Sequence, residues 1–254
     1  MTNKLTRRSL LGAGVVGVSA VFAGVLGLGT SGRKRDQVTR EVEFDGDTLS
    51  AETDNGDVTV NRTDGDAVQV RAVKTATGLA KLSAAALDVS RNDGHLRIAG
   101  KTKNVLFGSV SISLEIDVPE DVEVDTAESK NGDAIVQNVE GYVSVRSMNG
   151  DVRAYGVTGV ESAETENGDV DVAVANVRSD VSIRSKNGDV SAALATDVDA
   201  TVLARTTNGD VTNNGLPLES VEAGENRIRG TLGDGIHDVT VETTNGDVSL
   251  RALN

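Results

Sequence analysis

The sequence predicts an all-β fold, a repetitive β-solenoid or β-helix-like domain, and three observations carry that reading. First, Asn-Gly-Asp followed by Val or Ala occurs seven times, starting at Asn55, Asn131, Asn149, Asn167, Asn187, Asn208 and Asn245. The gaps from Asn131 are 18, 18, 20 and 21 residues, and the last, 37, is close to twice that period. A fixed period of this size marks one small unit copied many times, none of which buries a core alone. Second, apolar or small residues alternate with polar ones on both sides of each turn, as in Val181-Ser-Ile183-Arg-Ser185 before Asn187 and Val190-Ser-Ala192 after it. That is the period of a strand with one buried face. Third, the inward positions are Val, Ala, Ser and Thr with occasional Ile or Leu, and the chain has three Phe, two Tyr and no Trp. So little bulk suits a narrow coil better than a wide sandwich or barrel. An antiparallel array of hairpins is the alternative, because Asn-Gly between alternating strands is also a hairpin signal, one that would pair Ser185 with Val190.

Residues 1–29 read as a targeting segment, a twin-arginine-type signal or membrane anchor. Thr6-Arg7-Arg8-Ser9-Leu10-Leu11 resembles the twin-arginine export motif through Arg7 and Arg8, and an uncharged Gly- and Val-rich run reaches Gly29. That run is about the 20 residues that cross a bilayer as a helix. Residues 30–39 read as a linker. Residues 40–120 form a less regular β or capping region, with strands expected at Asp57–Asn61 and Ala67–Lys74, a short helix or cap over Leu79–Ala86, a turn at Asn92-Asp93-Gly94, and a clean alternation over Val110–Val118. Residues 121–254 hold the regular units, about seven coils of two strands and two corners. One corner is the phrase itself: Asn55-Gly56, Asn131-Gly132, Asn149-Gly150, Asn167-Gly168, Asn187-Gly188, Asn208-Gly209 and Asn245-Gly246, whose Asn and Gly suit positive backbone φ. The other is looser, near Gly141, Gly159, Ser179-Asp180 and Asp199. Val248–Asn254 ends on a strand pattern, which would leave a terminal coil unprotected and end-to-end assembly open.

Charge and chemistry narrow the function classes. The net charge is −14, but residues 1–35 hold six bases and no acid, so the remainder carries −20. Such a body repels nucleic acid, and membrane contact is expected only through the amino-terminal segment. An acidic, Lys-poor chain, with 8 Lys to 17 Arg, is expected of a protein that works in molar salt. With no cysteine there is no disulfide, thiolate metal site or lipidated Cys. His95 and His237 read as structural or solvated loop residues, and no nucleophile elbow, phosphate loop or His-Glu-x-x-His helix occurs. The acids recur in every unit as part of the turn, whereas a catalytic pair should break the repeat. If Asp133, Asp151, Asp169, Asp189 and Asp210 stack one rung apart, the column either caps each turn by a local hydrogen bond, the favoured reading, or holds Ca²⁺. No catalytic, cofactor or metal residues are therefore assigned.

Leu114-Glu-Ile116-Asp-Val118-Pro119 followed by Asn-Gly-Asp-Val units resembles the DUF4097 β-strand-repeat family, whose members are often labelled adhesins. The likeness spans roughly residues 40–254 and implies a β-helix-like, exported or surface-associated protein. The expected function is that of a non-enzymatic, adhesin-like or structural module with an unidentified envelope partner and no cofactor. Polysaccharide binding or cleavage, and a self-assembling scaffold, are the alternatives.

Overall fold

The computed structural model describes residues 18–23 and 32–253. Arg7, Arg8 and most of the segment read as a leader lie outside the described residues. Among the described residues, two sheets of eleven strands face each other across one apolar core. Each regular coil places one strand in each sheet and turns between them at Asn-Gly-Asp. In the middle of the stack these coils are Glu123–Asn131 with Ala134–Gln137, Tyr142–Asn149 with Val152–Tyr155, Gly159–Asn167 with Val170–Val174, and Val181–Asn187 with Val190–Leu194. Their strands pair in parallel with the equivalent strands of neighbouring coils: Ser185 lies against Thr165 and Thr243, not against Val190. The solenoid is therefore the architecture, and the hairpin array is not.

Rung order departs from chain order at both ends. After Val190–Leu194 the chain skips one position, lays down Ala200–Asn208 and Val211–Asn214, and adds the hairpin Glu219–Gly224 and Arg227–Leu232. It then returns to fill the gap with His237–Asn245 and Val248–Ala252. Asp199 pins the crossing, its carboxylate accepting the Asp234 N–H at 2.9 Å and its carbonyl the His237 N–H at 3.2 Å. The Asn245 coil thus sits between those of Asn187 and Asn208. The tail Val248–Ala252 is an inner strand, which corrects the expectation of an unprotected terminal coil there. The 37-residue gap is the length of this excursion, not two stacked units. The amino-terminal end uses the same device: Thr48–Thr53 and Val58–Arg62 start a coil, and His95–Thr102 and Val110–Val118 later pair in parallel on its outer side. Six coils, not seven, stack from Asp121 onward.

Among the described residues antiparallel strands form three of the four sheet edges, and Val211–Asn214 is the fourth. Lys34–Val42 pairs with Val68–Ala76, which pairs with Val110–Val118, and Ala85–Asn92 pairs with His95–Thr102. Residues 30–39 are thus strand from Lys34 on rather than linker. Most residues of Lys34–Val42 are only half-buried, so the apolar pattern that marks other strands is missing and backbone pairing holds this one. The backbone of Val18–Ala23, inside the apolar amino-terminal segment, pairs antiparallel with it. Leu79–Ala86 is not a helix; it holds a single 3₁₀ turn at Leu82–Ala84 before strand resumes at Ala85, since a segment this short cannot sustain helix on its own. The strands expected at Asp57–Asn61 and Ala67–Lys74 run Val58–Arg62 and Val68–Ala76, and Val110–Val118 is unchanged.

The core is as slim as its residues imply. One column across successive rungs reads Ile98, Ala51, Ala127, Val145, Ala163, Ile183, Val241 and Ala204, all fully buried. Small and branched residues are interspersed along it, so neither a run of Ala leaves voids nor a run of Ile forces the sheets apart.

Candidate functional site

The corner is the most repeated chemistry in the molecule, and its real unit is Ser/Thr-x-Asn-Gly-Asp. Four hydrogen bonds per rung run to the next rung. Asparagine amides form a ladder: Asn149 donates to Asn131 at 3.0 Å, Asn167 to Asn149 and Asn187 to Asn167 at 2.9 Å, Asn245 to Asn187 at 2.7 Å, and Asn208 to Asn245 at 2.9 Å. Glycine N–H groups donate to the neighbouring Asn carbonyl, as Gly150 does to Asn167 at 2.9 Å. The buried hydroxyls of Ser129, Ser147, Thr165, Ser185, Thr243 and Thr206 each donate to a Gly carbonyl one rung away at 2.8–2.9 Å. Aspartate completes the set. The Asp151 N–H donates to the Asp133 carboxylate at 2.9 Å, and the same bond links Asp57 to Asp133, Asp151 to Asp169, Asp169 to Asp189, Asp189 to Asp247 and Asp247 to Asp210.

Two expectations change here. Aspartate bonds between rungs instead of capping its own turn, and its column includes Asp57 and Asp247. Carboxylates one rung apart repel by about 0.9 kcal/mol in water, whereas a hydrogen bond to a charged acceptor contributes roughly 1.5–3 kcal/mol. The bond wins, so the acid column is compatible with the fold without a cation. Asparagine, for its part, keeps extended backbone; only glycine takes positive φ, as Gly150 does at +155°. A Cβ there would stand 2.2 Å from the Gly132 carbonyl oxygen.

On the other side of the corner runs an open groove of about 720 Å³, lined by three residues from each of six rungs. The Ser/Thr column forms its floor. One wall reads, in spatial order, Glu128, Arg146, Glu164, Arg184, Glu242 and Arg205. Arg146 pairs with Glu164; Glu242 is held between Arg184 at 2.8 Å and Arg205 at 2.6 Å. The other wall carries Lys130, Met148, Glu166, Lys186, Thr244 and Thr207. Five bases face four acids in this groove, on a strongly acidic protein. Lys130 closes one end on Asp54 at 2.8 Å. Burial works against ionisation of Asp54, but the Lys130 bond and the Thr102 N–H outweigh it and hold the carboxyl below its ordinary range; the same bond raises Lys130. Across the corner, Arg153 pairs with Asp151 at 2.7 Å beside the acid column.

His95 and His237 each open a strand rather than sit in a loop. The ring nitrogens of His95 meet the Thr48 and Ser50 hydroxyls, both at 2.8 Å, which is a structural role. Sequence reasoning missed the groove, although the charges of its wall alternate in the chain from Glu128 to Arg184.

Residues 47–251 match the Toastrack DUF4097 family. The chain belongs to that family. Solved structures similar to this Toastrack domain include one described as a "putative cell adhesion protein" from Clostridium sporogenes, at 14% identity and TM-score 0.49, covering 87% of this chain and 100% of that one. Another, described as a "putative adhesin" from Bacteroides fragilis, has 13% identity and TM-score 0.42 over 86% of this chain and 97% of that one. No curated protein matches the chain in sequence.

Proposed function

We propose that this Toastrack protein is an exported, non-enzymatic surface module of the adhesin or structural β-repeat kind, presenting its outer groove to a polymer of the cell envelope or a neighbouring surface. One observation carries the reading: the groove walls offer outward residues in register on six consecutive rungs, spaced about 4.8 Å apart. A ligand that itself repeats can engage such a surface at many weak, equivalent points. The corner's Asn amides, Gly N–H groups and Ser/Thr hydroxyls are engaged in bonds between rungs, whereas the groove walls present their side chains outward. Arg7 and Arg8 supply the export signal in this proposal, the segment to Gly29 holds the protein at the membrane or is removed, and the acidic body suits high salt.

The test is binding of isolated envelope polysaccharide to immobilised full-length protein, compared with an Arg184→Glu/Arg205→Glu variant. Reversing two wall charges should weaken binding on the order of tenfold or more. Equal binding by both proteins would remove the groove from the proposal. Release of new reducing ends from the polysaccharide would replace the module with the polysaccharide-cleaving alternative.

A further inference from the structure

At the amino-terminal end two loops, residues 77–84 and 103–109, meet and raise Leu79, Leu106 and Phe107 into solvent at 77%, 93% and 68% exposure. They border a hollow of about 490 Å³ shared with Ala80, Val105, Lys81 and Lys103. Scattered exposed apolar residues are ordinary, but three large ones on a single tip mark a contact surface. The tip is firmly built. The Thr77 N–H donates to the Ser109 carbonyl at 2.9 Å, the Ser109 N–H to the Thr77 hydroxyl at 3.0 Å, and the Lys103 N–H to the Ala84 carbonyl at 2.9 Å. Gly108, at φ +104°, lets the loops approach where a Cβ would meet the Thr77 carbonyl at 2.0 Å.

Charge is the second and independent observation. Residues 67–87 and 94–114 contain no acid, although the whole chain carries −14. They hold Arg71, Lys74, Lys81, Arg97, Lys101 and Lys103. Lys101 is engaged by Glu52, whereas the hollow that Lys81 and Lys103 border includes no acid. The Lys34 ammonium donates to the Ala80 carbonyl at 3.1 Å, so the strand that follows Gly32 and Arg33 begins at this tip. Apolar side chains with a basic rim, on a body otherwise acidic, match an anionic lipid interface: the apolar groups enter the headgroup boundary and the lysines reach the phosphates.

We propose that Leu79, Leu106 and Phe107, rimmed by Lys34, Lys81 and Lys103, dock this end of the solenoid on an anionic lipid surface. This membrane contact is separate from the leader, and it stands whether or not the groove binds a polymer. The chain lacks tryptophan, so Phe107→Trp places a sole indole at an exposed position that tolerates it. The full-length variant is mixed at low ionic strength with phosphatidylcholine vesicles, with and without phosphatidylglycerol, some carrying a quencher on the acyl chains. The leader can bring the protein to either vesicle, so indole emission, not co-sedimentation, is the readout. Emission should shift to shorter wavelength and be quenched by labelled lipid when phosphatidylglycerol is present. Adding Lys81→Gln/Lys103→Gln should lower the docked-to-undocked ratio about thirty-fold. The proposal fails if the indole stays water-exposed on anionic vesicles. It also fails if emission is already shifted without lipid, which at any protein concentration means cover by the chain's own leader, and with rising concentration means a second copy.

Discussion

The middle of the solenoid and its two ends are built from the same strand chemistry but solve opposite problems. Between Glu123 and Leu194 chain order and spatial order agree, and each corner bonds to one 18–20 residues away, as Asn167 does to Asn149 and Asn187 to Asn167. At the ends the partners are remote: Asn245 reaches Asn187 across 58 residues, and Ser129 reaches Gly56 across 73. A corner that donates to one neighbour and accepts from the other is satisfied only inside a stack, so the terminal coils need a different finish. Among the described residues antiparallel strands supply it at three of the four sheet edges; the fourth edge, Val211–Asn214, pairs only in parallel with Val248–Ala252. On the far end the outermost strand, Glu219–Gly224, is exposed throughout, breaks register between Glu219 and Glu222, and bends at Ser220, φ +49°. A short, charged, irregular edge is a poor template for another chain. Local pairing also lets the middle form early, with the gap-filling strands closing later.

The largest contrast between the regions should come from glycine. Gly150→Ala forces a Cβ into the Gly132 carbonyl and should cost roughly 3–4 kcal/mol or prevent folding. Gly65→Ala, in an end loop with only Thr63 atoms at 3.5 Å and beyond, should stay within about 0.5 kcal/mol. Urea unfolding of the two variants measures the gap; equal losses would mean that the corner does not need its glycine. Removing a hydroxyl should matter next. Thr165→Val keeps shape but leaves the Gly150 carbonyl without its 2.8 Å partner beneath the groove floor, a loss of about 1–3 kcal/mol. Thr77→Val removes a hydroxyl that meets the Ser109 hydroxyl and accepts the Ser109 N–H at the exposed tip, where water replaces it, and should cost under about 1 kcal/mol on the same urea curves.

How much of this was legible depends on which interactions were local. The coil, its period, the slim core and Val110–Val118 follow from turn chemistry and alternation within a single unit. Rung order does not, because any coil has the same Asn-Gly-Asp corner and can stack on any other. Yet a signal was present. Stacked in chain order, Arg184 would face Arg205; placing the Asn245 coil between them sets Glu242 against both, and the wall alternates from Arg146 to Arg205. Side-chain charge thus distinguishes coils that the backbone treats alike. The apolar tip was equally readable as acid-free stretches, but only the fold brings residues 79 and 107 together. Lys34–Val42 was missed because its residues lack an apolar face, leaving nothing for periodicity to detect.

That charge order can be tested for a smaller effect. Glu242 is one-fifth exposed and sits between two arginines, so Glu242→Gln should cost about 1 kcal/mol at low ionic strength. Glu115→Gln, which frees Arg71 on the amino-terminal side where both side chains are near half exposed, should cost about 0–0.5 kcal/mol. The difference should shrink in molar salt, where the screening length falls to about 3 Å. A gap that persists at high salt would mean that Glu242 acts by packing rather than by charge.

The two regions should also separate along the pH axis, with the smallest effects. In the middle, burial first and then the Asp171 carboxylate push the Tyr155 phenol up to about 12. A raised acid favours its neutral form in the folded state, so this contribution is complete below pH 10 and is lost as pH rises through about 12. At the amino-terminal side, burial opposes the Asp54 charge but Lys130 and the Thr102 N–H hold its carboxyl down. That contribution is present above the ordinary value of 3.8 and disappears as pH falls below it. Tyrosinate absorbance should therefore show one phenol ionising near pH 12, and Asp171→Asn should draw it back toward 10. If the substitution left that titration in place, burial alone would set it, and the contact between the Tyr155 and Asp171 rungs would carry no charge coupling.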